Sequence, residues 1–359
     1  MRYILLIILI ALCLPSIGLP FETNLKFIRS IGDDESDEYT FFMISGAVLS
    51  NEKDIFVIDP KGYCVSKYSW DGVFKKRVGQ LGRGPMDFMS LNSIRFFNKR
   101  LYIVDSKNRR ISSLDTDLGD FQSINYLNLK YKGKIFFRIP GDIIVLGNDR
   151  FLGYSLLTTE NESKEHLFIF DSKGKVEKVF FDHMPTKEPL SIQKTSVNII
   201  LSKVSVGVDH KQGTIIVTPS FPGNTVDFHL FDLMGNSLKT FSYKQENNFR
   251  FPMALINKTT KKGEKVDFSM IETVSIFDDY FLVLFVEVEG AEELGPSLEG
   301  KLKYYLLIFD KDGEFRHKTC LEKPLLIYHI SPEGYVLAKD ATGDDEVEKL
   351  LIYKLELKK

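Results

Sequence analysis

Leu101-Tyr102-Ile103-Val104-Asp105-Ser106-Lys107-Asn108-Arg109-Arg110-Ile111-Ser112-Ser113-Leu114 reads as a β-branched and aromatic run, a polar break and a second alternating run. Asp117-Leu118-Gly119 follows, and a third run opens at Phe121. Alternation with a period of two marks strands with two distinct faces, and breaks rich in Asx and Gly suit tight hairpin turns. The same rhythm recurs along the chain. It returns at Ile55–Asp59, Cys64–Trp70 and Val73–Val78, and again at Phe151–Leu157, His166–Asp171 and Val176–Phe181. A fourth unit has Thr214–Thr218, Val226–Asp232 and Ser237–Tyr243; a fifth has Phe281–Val288, Tyr304–Asp310 and Glu314–Leu321. The sixth has Tyr335–Asp340 and Lys349–Leu357, where the sequence given stops.

Each unit has a further apolar segment just upstream: Phe41–Leu49, Ser93–Phe97, Asp142–Leu146, Ser205–Asp209, Met270–Phe277 and Leu325–Ile330. That makes four strands per unit, while helical periodicity is nearly absent. Four short antiparallel strands repeated radially describe the blade of a β-propeller. The expected fold is all-β, a six-bladed β-propeller over residues 19–359. Residues 19–359 shared among six units give about 57 each, longer than the roughly 40–50 of compact propeller repeats, so some connections are insertions. The sixth unit is one strand short, and Leu25–Ile31 alternates without a partner of its own. Pairing Leu25–Ile31 with Leu351–Leu357 would complete the last blade from both ends and leave no open sheet edge between the first and last blades.

Composition agrees with a globular chain: 43% hydrophobic, 27% charged, 13% aromatic, with 29 Phe and 15 Tyr. The formal charge is −2, from 47 basic and 49 acidic residues that are well mixed, so no basic field suited to nucleic acid exists. Met1–Gly18 has a basic residue (Arg2), an apolar run from Tyr3 to Leu14, and Ser16 and Gly18 as small residues before a cleavage point. This is the pattern of a secretory signal peptide, and the run is short for a span of about 20 residues. Retention as an anchor and lipid attachment at Cys13 are the alternatives; large Leu12 directly before Cys13 disfavours the second. The expected mature chain is extracytoplasmic (periplasmic or secreted), without a transmembrane segment. Cys64 and Cys320 fall in units that do not touch, so both are expected to be buried and free.

Two stretches carry a recognisable signature. Leu101 to Ile111 resembles the core of the NHL repeat, in which a strand ends in Asp, Asn follows three residues later and Arg-Ile opens the next strand. Val78-Gly79-Gln80-Leu81-Gly82-Arg83-Gly84-Pro85-Met86-Asp87-Phe88 is similar to the Gly-x-Gly-Pro-Gly-Glu-Phe connection of exported bacterial six-bladed propellers of the NHL-like class. Met86 stands where that pattern has Gly, and Asp87 where it has Glu. The resemblance implies the fold and leaves the function open.

Asp105 and Asn108 are expected to shape a turn through side-chain to backbone hydrogen bonds, and Arg110 to pack between blades. The glycines at 72, 119, 174, 235 and 313 are expected to supply positive φ in hairpins. Arg83, between two glycines, should project from a ring face; with Asp87 and Arg109 it is a candidate binding residue, since Arg presents a planar fork of donors to carboxylates or sugar acids. The long insertions Asp182–Thr195, Gln245–Phe268 and Glu287–Lys301 are the other candidates for recognition. The six His, at 166, 183, 210, 229, 317 and 329, fall out of register with one another, and no nucleophile elbow or phosphate-binding Gly loop occurs. The expectation is therefore a module that binds a small molecule, a glycan or a protein, with no cofactor. A metal-dependent hydrolase or lyase using Ca²⁺ or Zn²⁺ in the central channel is the alternative, because channel ligands are dispersed in sequence.

Overall fold

The computed structural model describes residues 22–33, 35–125, 129–131, 134–135, 142–147, 149–158, 163–183, 204–246, 265–291, 301–342 and 347–358. Strand β1 (Glu22–Ile31) comes first. Blade 1 then holds β2 (Gly46–Leu49), β3 (Ile55–Asp59), β4 (Cys64–Tyr68) and β5 (Phe74–Val78). Blade 2 holds β6 (Leu91–Phe97), β7 (Arg100–Asp105), β8 (Arg110–Asp115) and β9 (Gln122–Asn125); the small pair β10 (Lys130–Tyr131) and β11 (Lys134–Ile135) follows it. Blade 3 is β12 (Ile143–Gly147), β13 (Arg150–Thr158), β14 (Ser163–Asp171) and β15 (Val176–His183). Blade 4 is β16 (Val204–Asp209), β17 (Thr214–Pro219), β18 (Thr225–Asp232) and β19 (Ser237–Lys244). Blade 5 is β20 (Val266–Phe277), β21 (Tyr280–Ala291), β22 (Lys301–Asp310) and β23 (Phe315–Cys320). Blade 6 has β24 (Leu325–Ile330), β25 (Tyr335–Asp340) and β26 (Leu350–Lys358), with β1 as its outermost strand in the order β1-β26-β25-β24. The protein is a six-bladed β-propeller of four-stranded antiparallel blades.

The ring is closed from both ends as the alternation of Leu25–Ile31 suggests. Leu25 faces Leu355 and Ile31 faces Leu350, with a bulge between Phe27 and Arg29. What holds the blades together is legible in β3, where all five residues are buried. Ile55 and Val57 pack with Leu337, Leu350 and Ile352 of blade 6, whereas Phe56 and Ile58 pack with Leu91, Ile94, Leu101 and Ile103 of blade 2. Period-two alternation thus directs side chains into two different inter-blade cores instead of one core and water. Four further clusters of the same kind fill the seams between blades 2 and 3, 3 and 4, 4 and 5, and 5 and 6.

Repeated polar devices fix the hairpins. Asp115, Asp171, Asp232 and Asp310 each end a third strand and accept backbone N–H bonds from the residues two and four further on. Gly174, Gly235 and Gly313 take the left-handed position of these turns, with φ between 73° and 83°. In blade 2 the expectation for Gly119 fails: Leu118 takes that position at φ 53°, one residue earlier. The offset from Asp115 to Leu118 equals that from Asp171 to Gly174, so hydrogen-bond geometry chose the position and not the residue type. Lys76 Nζ of an outer strand donates to the Asp117 carbonyl in the next blade's hairpin (2.8 Å), and Lys178 Nζ to Asn236 Oδ1 (2.6 Å). Blade 6 has no such hairpin, because its third and fourth strands come from opposite ends of the chain. A groove of about 650 Å³ lies beside this edge, between Thr319, Cys320 and the connection after them and Thr23, Leu25 and Phe27 of β1. Cys320 lies along this groove and is exposed, contrary to the expectation of burial, while Cys64 is buried; neither is in a disulfide.

Candidate functional site

Antiparallel order within a blade divides the turns between two ring faces. Turns from first to second and from third to fourth strand share one face. Turns from second to third strand, and the connections onward to the next blade, share the other. The strands bracketing all three long insertions, β15 and β16, β19 and β20, β21 and β22, end on this second face. So do the connection 79–90 and the turn 106–109. Most of the insertions (184–203, 247–264 and 292–300) lies outside the described residues.

The connection and the turn are built around one buried carboxylate. Asp105 is fully buried and accepts from the backbone N–H of Ser90 (2.9 Å) and from the side-chain amide of Asn108 (2.6 Å), with longer bonds from the N–H groups of Met89 and Asn108. The Asn108 amide also donates to the Gly82 carbonyl (2.9 Å). Arg110, 7% exposed, donates from Nη2 to the carbonyls of Gly84 (3.0 Å) and Asp87, and its Nε lies 3.9 Å from Asp105. The Nε atom is buried without a hydrogen-bond partner. Asp105, Asn108 and Arg110 therefore clamp the 82–87 loop onto the hairpin of blade 2.

Blade 1 shows which part of this is generic. Asp59 accepts from the backbone N–H groups of Phe42 (2.8 Å), Met43 (3.2 Å), Lys61 (3.0 Å) and Gly62 (2.9 Å), the same carboxylate-to-connection tie. Tyr63 (φ 53°) and Arg109 (φ 54°) hold the same left-handed place in the two turns. Gly62 and Cys64, however, stand where blade 2 has Asn108 and Arg110, and they cannot reach a loop. The Asp and the turn belong to the fold; the clamp is added in blade 2.

The clamped loop has its own internal order. Asp87 Oδ2 accepts from the Gly84 N–H (3.0 Å), and a Cβ on Gly82 or Gly84 would meet that oxygen at 2.5 or 2.7 Å. A side chain at either position would push the Asp87 carboxylate away from the Gly84 N–H. Met86 adopts φ 62°, so the left-handed conformation expected of a glycine there is kept by a methionine whose side chain packs against the blade 1–2 core.

Arg83 is exposed on this loop. It lines a cleft of about 470 Å³ together with Lys107, Asn108, Arg109, Arg110 and Asn125. The structure thus brings Arg83 and Arg109 together, whereas the Asp87 carboxylate turns into the loop and is not among the lining residues. Lys107, Arg110 and Asn125 were not singled out as site residues from the sequence. The signal available was the run Lys107-Asn108-Arg109-Arg110, three cations within four residues of a turn.

A second polar group lies on the inner strands. Arg95 of β6 makes an ion pair with Asp142. His329 of β24 is held at a pKa of about 4, by burial and then by the Arg95 charge. Phe97 and His210, on blades 2 and 4, meet with ring centroids 4.8 Å apart, reaching across blade 3 on the short-turn face. Among the described residues no three His, Cys, Asp or Glu side chains group so as to hold a metal ion.

A family described as a 6-bladed beta-propeller (DUF5128) matches residues 35–199. Of solved structures, a member of the DUF4221 family from Bacteroides vulgatus is similar at 12% identity and TM-score 0.62, over 94% of this chain and 99% of that one. A protein from Bacteroides fragilis, named as an exported one, is similar at 12% identity and TM-score 0.56, over 94% of this chain and 96% of that one. At such identities the likeness is one of fold. No curated protein matches the sequence. No helix among the described residues is long and apolar enough to cross a membrane.

Proposed function

We propose that the protein is an exported binding module whose recognition surface is the ring face carrying the 79–90 connection, the 106–109 turn and the three insertions. One observation supports this above others. Blade 2 adds to the ordinary turn a clamp, Asn108 and Arg110, whose bonds go to the 82–87 loop and hold it in one shape. A preorganised loop on a rigid ring is what binding without loss of loop entropy calls for. Export rests on the Met1–Gly18 pattern, and the B. fragilis relative named as exported is in keeping with it.

The test is directional immobilisation in a Cys320→Ser background. Leu81 (61% exposed) lies on the proposed face and Met234 (55% exposed) on the opposite one. Protein tethered through Leu81→Cys should lose binding to arrayed glycans and peptides, and protein tethered through Met234→Cys should keep it. The reverse pattern would put recognition on the short-turn face. Turnover of a bound compound, abolished by a chelator, would replace the binding module with the metal-dependent enzyme.

A further inference from the structure

We infer that the cleft between the 82–87 loop and the 107–110 turn binds an acidic oligosaccharide, a chain of sugars bearing carboxylates; this rests on the reading of that face as the recognition surface. Four cationic side chains, Arg83, Lys107, Arg109 and Arg110, line the cleft, and no carboxylate does among the described residues. The carboxylates of the loop and the hairpin are committed elsewhere: Asp105 is fully buried and accepts from the Ser90 N–H, and Asp87 accepts from the Gly84 N–H of its own loop. The remaining wall is Asn108 and Asn125, so the lining offers donors and amide carbonyls and no apolar side chain.

That chemistry selects among anions. A lipid or an apolar peptide would gain nothing from walls without hydrophobic groups. A single small anion would leave most of a 470 Å³ cleft to water. Repeated carboxylates spaced by hydroxyls match cations spaced by amides. Arg109 holds the left-handed φ of 54° that Tyr63 holds at 53° in blade 1, so the turn is the fold's own and what blade 2 adds is the guanidinium that it sets on the cleft wall. Arg110, 7% exposed, lies behind this wall with the Asp105 carboxylate 3.9 Å from its Nε, so the positive charge open to a ligand is that of Arg83, Lys107 and Arg109.

Isothermal titration of the full chain with tetragalacturonate tests this, with maltotetraose as the neutral control and a Glu-rich peptide as a rival polyanion. Tetragalacturonate should bind saturably and more weakly as salt rises, because exposed charges are screened over about 10 Å at 0.1 M. Maltotetraose should give no binding. Arg83→Ala and Arg109→Gly should each weaken tetragalacturonate about tenfold, the scale of one charge-assisted contact. Arg109→Gly should do so without lowering the melting temperature, an outcome that a purely structural arginine would not give. No binding of tetragalacturonate, unchanged affinity in both variants, or tighter binding of the Glu-rich peptide would each overturn the inference. If maltotetraose binds and the Leu81-tethered protein fails to take it up, the anion assignment falls while the recognition face stands. If it binds regardless of tether, both fall.

Discussion

Replacing Asp105 by alanine should cost the molecule several kcal/mol of stability. The carboxylate is fully buried. Its two short bonds, from the Ser90 N–H at 2.9 Å and the Asn108 amide at 2.6 Å, would lose a charged acceptor. Hydrogen bonds to charged groups are worth roughly 1.5–3 kcal/mol each, which puts the loss near 4 kcal/mol. Arg110 would also lose the carboxylate 3.9 Å from its Nε, and an uncompensated buried cation adds to the cost. For a chain of 359 residues, an unfolding entropy of about 2.1 cal/mol/K per residue converts 4 kcal/mol to a fall of about 5 °C in Tm. Calorimetry with urea titration measures both quantities. Asp59→Ala is the comparison: it strips backbone donors but strands no arginine, since Cys64 stands in place of Arg110, so it should cost less. A loss below about 1 kcal/mol for Asp105→Ala, or a larger one for Asp59→Ala, would refute the clamp as described.

Deleting residues 1–31 removes β1, bares Leu350 and Ile352 at the edge of blade 6 and should abolish the single cooperative melt, with aggregation; an unchanged melt would contradict closure from both ends. His329 has a folded pKa of about 4 against 6.5 for the free side chain, so the unfolded chain takes up the proton first as pH falls. Stability from this residue is therefore fully present above pH 6.5 and is lost down to pH 4 by up to about 3 kcal/mol. His329→Gln should flatten that slope in urea titrations at pH 7 and pH 4.5, and an unaltered slope would show the histidine to be solvated. Exposed Cys320 should react with a thiol reagent in the native protein. Cys64, buried and with its thiol pKa raised by burial, should react only on unfolding; fewer than two reactive thiols in the unfolded, unreduced protein would reveal a bridge.

Strand positions were legible because a blade buries both faces of its inner strands. Ile55, Phe56, Val57 and Ile58 had to be a continuous apolar run, and continuous runs punctuated by Asx and Gly are easy to count. Closure was legible for a related reason: Leu25–Ile31 alternated with nothing in its own unit to pair with. What escaped the sequence depended on contacts between distant residues. The position of positive φ in blade 2 follows from the Asp115 hydrogen bonds and not from where a glycine sits, so Gly119 misled. Cys320, expected to be buried, is exposed because the outer strand of blade 5 faces a blade that has no hairpin to cover it. Asp87 was a candidate binding residue, yet its carboxylate accepts from the Gly84 N–H of its own loop. Arg83 and Arg109 were each visible alone; their convergence with Lys107 and Asn125 required the ring.

Hydrogen exchange measured with and without tetragalacturonate is the most direct test of recognition at the loop-bearing face of blade 2. Added protection should be confined to residues 82–87 and 106–110, the loop and the turn that line the cleft. Protection centred on the inner strands around Arg95 and His329, or on the short turns of the opposite face, would contradict it.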